Sequence, residues 1–352
     1  MMRALRFGTA ARVATLHLNE FLPCLGATLC IVAVAAWGAL ALWFKWSANR
    51  AAIWAAVLLW SAFGFGVVVA LWYGHALAAM SAWVAGCAAF AMWWSQLRPS
   101  NDRVWNDDVA RLLTAAVAGD VVTLDNLRDF TWRSRTDYDI GWRTRSYDLR
   151  GLQTLDLILS YWAGPAIAHT LVSFGFEDGE QVVFSVEIRR RKGALFSEVG
   201  GFFKLYELSI VAATERDAIR VRTNVRGEDD YLYAVDMPRA AMRELFLAYL
   251  DAANKLVDTP RFYNTVTANC TTIIYQMVTR IVGRLPLSWR LLLSGYLPEY
   301  LYALGALDRR YALDELRARG RLRERAREAD QSATFSADIR RGIPRPGVAS
   351  EA

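Results

Sequence analysis

The chain has 352 residues, a net charge of +6 and 54% hydrophobic residues, including 14 tryptophans. That length holds one domain of ordinary size beside a membrane segment. Its four cysteines exclude a disulfide-stapled fold, because Cys24, Cys30 and Cys87 all fall in apolar runs; no Cys/His spacing suits a metal and no cofactor motif is present. The basic balance comes without a nucleic-acid recognition motif, so an anionic lipid surface is the partner it suits.

Residues 1–20 carry Arg3, Arg6 and Arg12 against Glu20 alone. Residues 21–44 then run without a charge, long enough to cross a hydrocarbon core of ~30 Å. A signal peptide would have a shorter apolar core and no hydrophobic stretches directly after it. Residues 51–73 and 76–96 give a second and a third spanning segment. Trp43, Trp46, Trp72, Tyr73, Trp93 and Trp94 fall at the predicted ends, where aromatic anchors sit. The N-terminal arginines favour a cytoplasmic N-terminus, and three spans then deliver the rest of the chain outside. Two spans would leave it in the cytosol, and Lys45, Arg50, Arg98 and Arg103 weaken the charge asymmetry.

From residue 98 the composition becomes that of a globular domain, expected to extend to residue 310 before a charged helix and tail over 311–352. Residues 107–117 have helical spacing, and 121–132 alternate as one or two strands. Residues 133–150 are rich in Arg, Asp and Tyr, a solvated surface with local ion pairs. Residues 152–162 form a strand or short helix. The best strands are 166–176 and 181–188, with Val172, Phe174 and Phe176 on one apolar face and Val182, Phe184 and Val186 on the other. These sets oppose each other only if the turn is a three-residue loop with Gly179 in the left-handed conformation. In that register His169 faces Glu187. Further strands are expected at 205–212, 218–223 and 231–235, and an amphipathic helix at 238–256. Residues 308–329 have the pattern of one charged helix, followed by a loosely held tail.

The chemistry centres on residues 265–272, where Cys270 opens a helix that ends near Gly283. A thiol at a helix N-terminus meets unpaired N–H groups and the positive end of the dipole, which favour the thiolate. Cys270 and His169 are each the sole residue of their type after the apolar region. A cysteine at a helix start and a strand histidine opposite a carboxylate have the makings of a nucleophile, a base and the orienting group Glu187. Asn269 is either an oxyanion donor or an N-cap, with Thr271 in support. Two other readings stand beside this: a cell-wall cysteine peptidase or amidase, and a non-catalytic membrane scaffold with the two residues far apart.

In chain order, histidine precedes cysteine, as in the permuted, lecithin:retinol acyltransferase-like branch of the papain-like proteins, where an Asn-Cys pair also occurs. A closer resemblance covers residues 100–310. Residues 160–170 (SYWAGPAIAHT), Arg222-Thr223-Asn224 with Arg226-Gly227-Glu228, Asn269-Cys270-Thr271-Thr272 and residues 289–296 (WRLLLSGY) resemble, in order, the motifs of the Lnb N-terminal periplasmic domain family. Chain order and this resemblance together imply an α+β, permuted papain-like fold, an antiparallel sheet packed on the Cys-bearing helix, here following the N-terminal transmembrane region read from the apolar runs. The resemblance also implies a multi-pass protein of the bacterial inner membrane, with a periplasmic thiol acyltransferase or acyl hydrolase acting on lipid or lipoprotein through a thioester. The family's namesake carries its membrane segment elsewhere in the chain.

Overall fold

A computed structural model describes residues 4–45 and 49–347, with side chains from residue 21 onward. The arginines at 3, 6 and 12, on which the orientation expectation rests, lie outside the described side chains, as does Trp46. The chain divides into two compact units, residues 1–98 and 99–352.

The first unit consists of α1 (Ala4–Lys45), α2 (Arg50–Trp72) and α3 (Ala76–Gln96). Its residues 21–45, 50–72 and 76–96 are long and apolar enough to cross a membrane. Small residues let these helices close on one another: Gly64 lies against Ala35, and the Trp60 indole donates to the Ala35 carbonyl at 3.0 Å. Ile31, Val67, Leu71 and Trp83 fill the seam, while Leu29, Leu59, Phe65 and Leu77 face outward. An apolar exterior of this kind suits lipid as its solvent.

The second unit is a mixed α+β fold built on one mostly antiparallel sheet. Its strands are β1 (Thr114–Ala118), β2 (Val121–Arg128), β5 (Trp142–Asp148), β6 (Leu152–Tyr161), β7 (Ala168–Phe176), β8 (Gln181–Arg189), β9 (Glu207–Thr214) and β10 (Asp229–Ala234). They lie in the order β1-β2-β9-β8-β7-β6-β10, with β5 on β2, while β3 (Thr131–Trp132) and β4 (Tyr138–Asp139) form a separate ribbon. One face presents Val172, Phe174, Val182, Phe184, Val186 and Ile210 to α5 (Arg239–Asp258) and α6 (Cys270–Val282). Phe246 and Tyr249 of α5 are fully buried there, each large aromatic contributing ~2–3 kcal/mol by burial. The opposite face, with Ile158, Leu171, Val183 and Val211, is covered by α4 (Glu215–Arg220), then α9 (Arg323–Glu328) and α10 (Phe335–Asp338). A third cluster packs α7 (Leu297–Leu304) and α8 (Leu313–Gly320) against Leu157, Leu159 and Tyr233.

Four local expectations are corrected. Residues 107–117 form a short helical turn, Asp107–Val109, followed by β1, because the Asn254 side chain both donates to and accepts from the Ala115 backbone and holds it extended. Residues 218–223 are helical: Thr214 caps α4, and a wide turn, Val221–Arg226, continues it. Their β-branched residues alternate well enough for a strand, but Ala218, Ile219 and Val221 are buried on a helical face instead. The charged stretch 308–329 is broken between α8 and α9, where Gly320 abuts the Leu232 carbonyl and Arg321 bridges to Tyr231. The tail as far as it is described is held in place, with Phe335 and Ile339 in the core.

Candidate active site

The β7–β8 hairpin sets the site. Gly179 has φ 85°, and its N–H donates to Phe176 O at 3.0 Å, while Phe176 N–H donates to Glu180 O at 2.9 Å. This is a type I turn closed by a glycine bulge, which fixes Phe174 opposite Val182 and Val172 opposite Phe184. The β7–β8 ladder ends at Leu171–Ser185, although β6–β7 continues to Ala168–Tyr161 and β8–β9 to Arg189–Glu207. Beyond that point β7 and β8 part, and His169 faces Glu187 across the fork with Nε2 3.1 Å from Oε1.

Cys270 enters this fork from the start of α6. Asn269 is the N-cap: its Oδ1 accepts from Thr271 N at 2.9 Å and Thr272 N at 2.8 Å, while Thr272 Oγ1 accepts from Asn269 N in return. This reciprocal capping box pins the helix start. The Asn269 amide nitrogen donates to Thr265 O at 2.6 Å, so all its polar atoms serve the turn. Of the first amides of α6, those of Thr271 and Thr272 go to Asn269 Oδ1 and that of Ile273 to Asn269 O. The Cys270 N–H has no acceptor among the described residues. Thr271 reaches Thr170 across the interface, hydroxyl to hydroxyl, at 3.2 Å.

The residues singled out in the sequence therefore meet. Nε2 of His169 is also 2.6 Å from Ser185 Oγ, whose hydroxyl donates to Glu187 Oε1 at 2.7 Å. With Nε2 engaged on that side, Nδ1 is the nitrogen left open, and Cys270 and the imidazole lie near enough for each to shift the other's protonation. Burial opposes charge on His169, but the facing Glu187 carboxylate and the Cys270 sulfur outweigh it and push the imidazole up to about 9. Burial likewise opposes the thiolate, yet His169, together with the Thr170 N–H and hydroxyl, holds the Cys270 thiol below its ordinary value. Glu187 is held well below the carboxylate range, since His169 and Arg222 overcome the cost of burying it. Both shifts favour a thiolate–imidazolium pair backed by a carboxylate, the reactive form of a thiol.

Sequence reasoning missed three partners. Arg222, delivered by the wide turn after α4, donates to Glu187 Oε1 at 2.9 Å from a buried position and to Ala218 O at 2.8 Å. Its place in the matching Arg-Thr-Asn motif was the available signal. Ser185 and Thr170 look like ordinary strand residues and carried none. Next to His169 on β6, Ser160 Oγ lies 2.5 Å from both Glu228 Oε2 and Asp230 Oδ1. One hydroxyl proton cannot serve two carboxylates, and burial pushes Asp230 up to about 7, which favours a second, shared proton there more than at an ordinary carboxylate. A hollow of about 810 Å³, lined by Tyr147, Phe176 and Glu180 among others, lies at the hairpin end of β7, away from His169. No group of three metal-ligating side chains occurs among the described residues.

A thiol at a helix start, beside an imidazole and a carboxylate on a mostly antiparallel sheet, in a chain with three apolar helices, makes a candidate thiol–imidazole site in a membrane-type protein. Residues 138–295 match the family model of the Lnb N-terminal periplasmic domain, a segment that contains His169, Glu187, Arg222 and Cys270. Searches of curated proteins and of solved structures found no match.

Proposed function

We propose that the second unit is a cysteine acyltransferase or acyl hydrolase, facing the periplasm from a multi-pass anchor in the bacterial inner membrane and acting on lipid or lipoprotein. The observation that carries this reading is the meeting of Cys270 with a His169 that Glu187 and Arg222 hold in place. The Cys helix packed on a sheet that bears the histidine earlier in the chain supports a permuted papain-like arrangement. Cys270 thiolate attacks an ester or amide carbonyl, forming a C–S bond while the carbonyl electrons move to oxygen. The Cys270 N–H is the donor placed for that oxyanion. Collapse expels an alcohol or amine that takes the His169 proton and leaves a thioester. An amine, alcohol or water then attacks, gives its proton to His169 and releases the Cys270 thiolate. Asn269 and Thr271 act as positioning residues through the capping box.

The test is alkylation of the purified full chain by iodoacetamide, comparing wild type with Cys270→Ser and His169→Ala, beside intact-mass analysis of untreated protein. The expected result is one rapid, His169-dependent alkylation at residue 270 and a hydroxylamine-sensitive long-chain acyl adduct at the same position. A Cys270 no more reactive than a free thiol, with no adduct, would sink the reading.

A further inference from the structure

Two loops beside the thiol are apolar where they meet solvent. In residues 190–204, Leu195 is 87% exposed and Phe196 52%, with Val199 and Phe202 also exposed. In residues 280–296, Leu287 is 85% exposed and Trp289 55%, together with Val282 and Leu292. Both loops are fastened to the segments that carry the reacting groups. Gly201 lies against Tyr263 and the Thr265 hydroxyl, on the approach to Cys270. Ser294 Oγ accepts from Ala168 N and donates to Ala168 O, and Gly295 N donates to Ala166 O at 3.0 Å, at the threshold of His169. A side chain at Gly295 would collide with the Pro165 carbonyl, so this docking is close.

The flanking charge is predominantly positive. Residues 190–204 contain Arg190, Arg191, Lys192 and Lys204 against Glu198, and residues 280–296 contain Arg280, Arg284 and Arg290 with no carboxylate. Contiguous exposed apolar residues mark an interaction surface. Apolar tips, a tryptophan and a basic surround match an anionic bilayer interface: the tips enter the acyl region, the indole sits at headgroup depth, and each cation near the surface adds ~1 kcal/mol.

We propose that residues 195–202 and 287–293 dock this unit on an anionic lipid surface, so that the fork holding Cys270 opens onto lipid. The inference rests on the thiol acyl-transfer reading for its substrate, but docking itself needs no catalysis. For the test, the full chain carries Ser in place of Cys24, Cys30, Cys87 and Cys270, with one environment-sensitive fluorophore at Leu195→Cys, Leu287→Cys or the exposed control Ile140→Cys. It is reconstituted in nanodiscs of equimolar phosphatidylcholine and phosphatidylglycerol containing nitroxide-labelled acyl chains. Quenching at 195 and 287 should exceed that at 140 by roughly threefold or more, and should fall in pure phosphatidylcholine. Equal quenching at all three positions overturns the proposal, and undiminished quenching in phosphatidylcholine overturns its anionic requirement. Probes shielded from aqueous acrylamide yet untouched by the lipid nitroxide would mean a protein occupant, which also overturns it. Unquenched loops with a reactive wild-type Cys270 sink docking alone; quenched loops with an inert wild-type Cys270 sink the catalytic reading alone.

Discussion

Glu187 controls the charge state of the site, because its carboxylate is what lifts the buried His169 imidazole to about 9. Replacing it in Glu187→Gln removes that attraction and leaves burial to favour the neutral ring. Thiol reactivity against pH should then show the difference directly. In wild type the thiolate–imidazolium pair persists from the depressed Cys270 value up to about pH 9, where the imidazole loses its proton. In Glu187→Gln the alkaline limb should move toward or below the ordinary histidine value, and alkylation at pH 7 should slow by about tenfold or more. An unchanged limb would remove Glu187 from the site. The same shift bears on stability with a definite sign. A raised His169 value stabilises the fold fully below the unfolded imidazole's range and loses that contribution as pH climbs through about 9. Taken alone, His169 should lower the melting temperature between neutral pH and pH 10, against the depressed Cys270 thiol, whose contribution grows over the same range; the His169 share should be smaller in Glu187→Gln. Asp230 has a slope of the same sign over a lower window: raised to about 7 by burial, it costs stability once pH passes the unfolded carboxylate range. Asp230→Asn, which can still donate to Ser160, should raise the melting temperature at pH 8 by a few degrees.

At the scale of single elements, two turns determine whether the chemistry assembles. The Asn269 capping box fixes where α6 begins and thus where the Cys270 sulfur and amide point. Asn269→Ala should cost about 1 kcal/mol in a denaturant melt. It should also slow Cys270 alkylation, since the first turn frays; a stability loss with full reactivity would confine Asn269 to the fold. The Gly179 bulge does the equivalent for β7 and β8, because a one-residue slip would turn His169 away from Glu187. The wide turn after α4 is the third device. It brings Arg222 under Glu187, a contact that the misread strand at 218–223 concealed.

For the whole molecule, the C-terminal segment closes the sheet face opposite α5 and α6. Arg340, its side chain 10% exposed, lies between the buried Asp156 and Glu215, donating to Asp156 Oδ2 at 2.9 Å and to Glu215 Oε2 at 2.5 Å. Neither carboxylate is exposed, so removing the cation leaves Glu215 without a charged partner and Asp156 with Arg345 alone. Arg340→Met should lower the unfolding free energy by about 3–5 kcal/mol, read by denaturant titration at pH 7. A change under 1 kcal/mol would mean that Arg345, 3.0 Å from Asp156, takes over the role.

Local chemistry decided a good part of this protein in advance. The three apolar helices, the bulged hairpin with its register, the Cys270 helix and the facing of His169 and Glu187 all follow from short-range rules of periodicity, turn geometry and capping. Only tertiary structure decided the rest. Ser185 and Thr170 became partners of His169 and Cys270 because β7 and β8 part at the fork, which no local pattern announces. Arg222 reached Glu187 through a helix whose sequence also suits a strand, and packing against Ile158 and Leu171 settled that choice. The tail, polar enough to be left in solvent, was drawn in by two carboxylates far away in sequence. Contacts between distant segments depend on the enclosed shape of the fold, and that shape exists only once every element has found its neighbour.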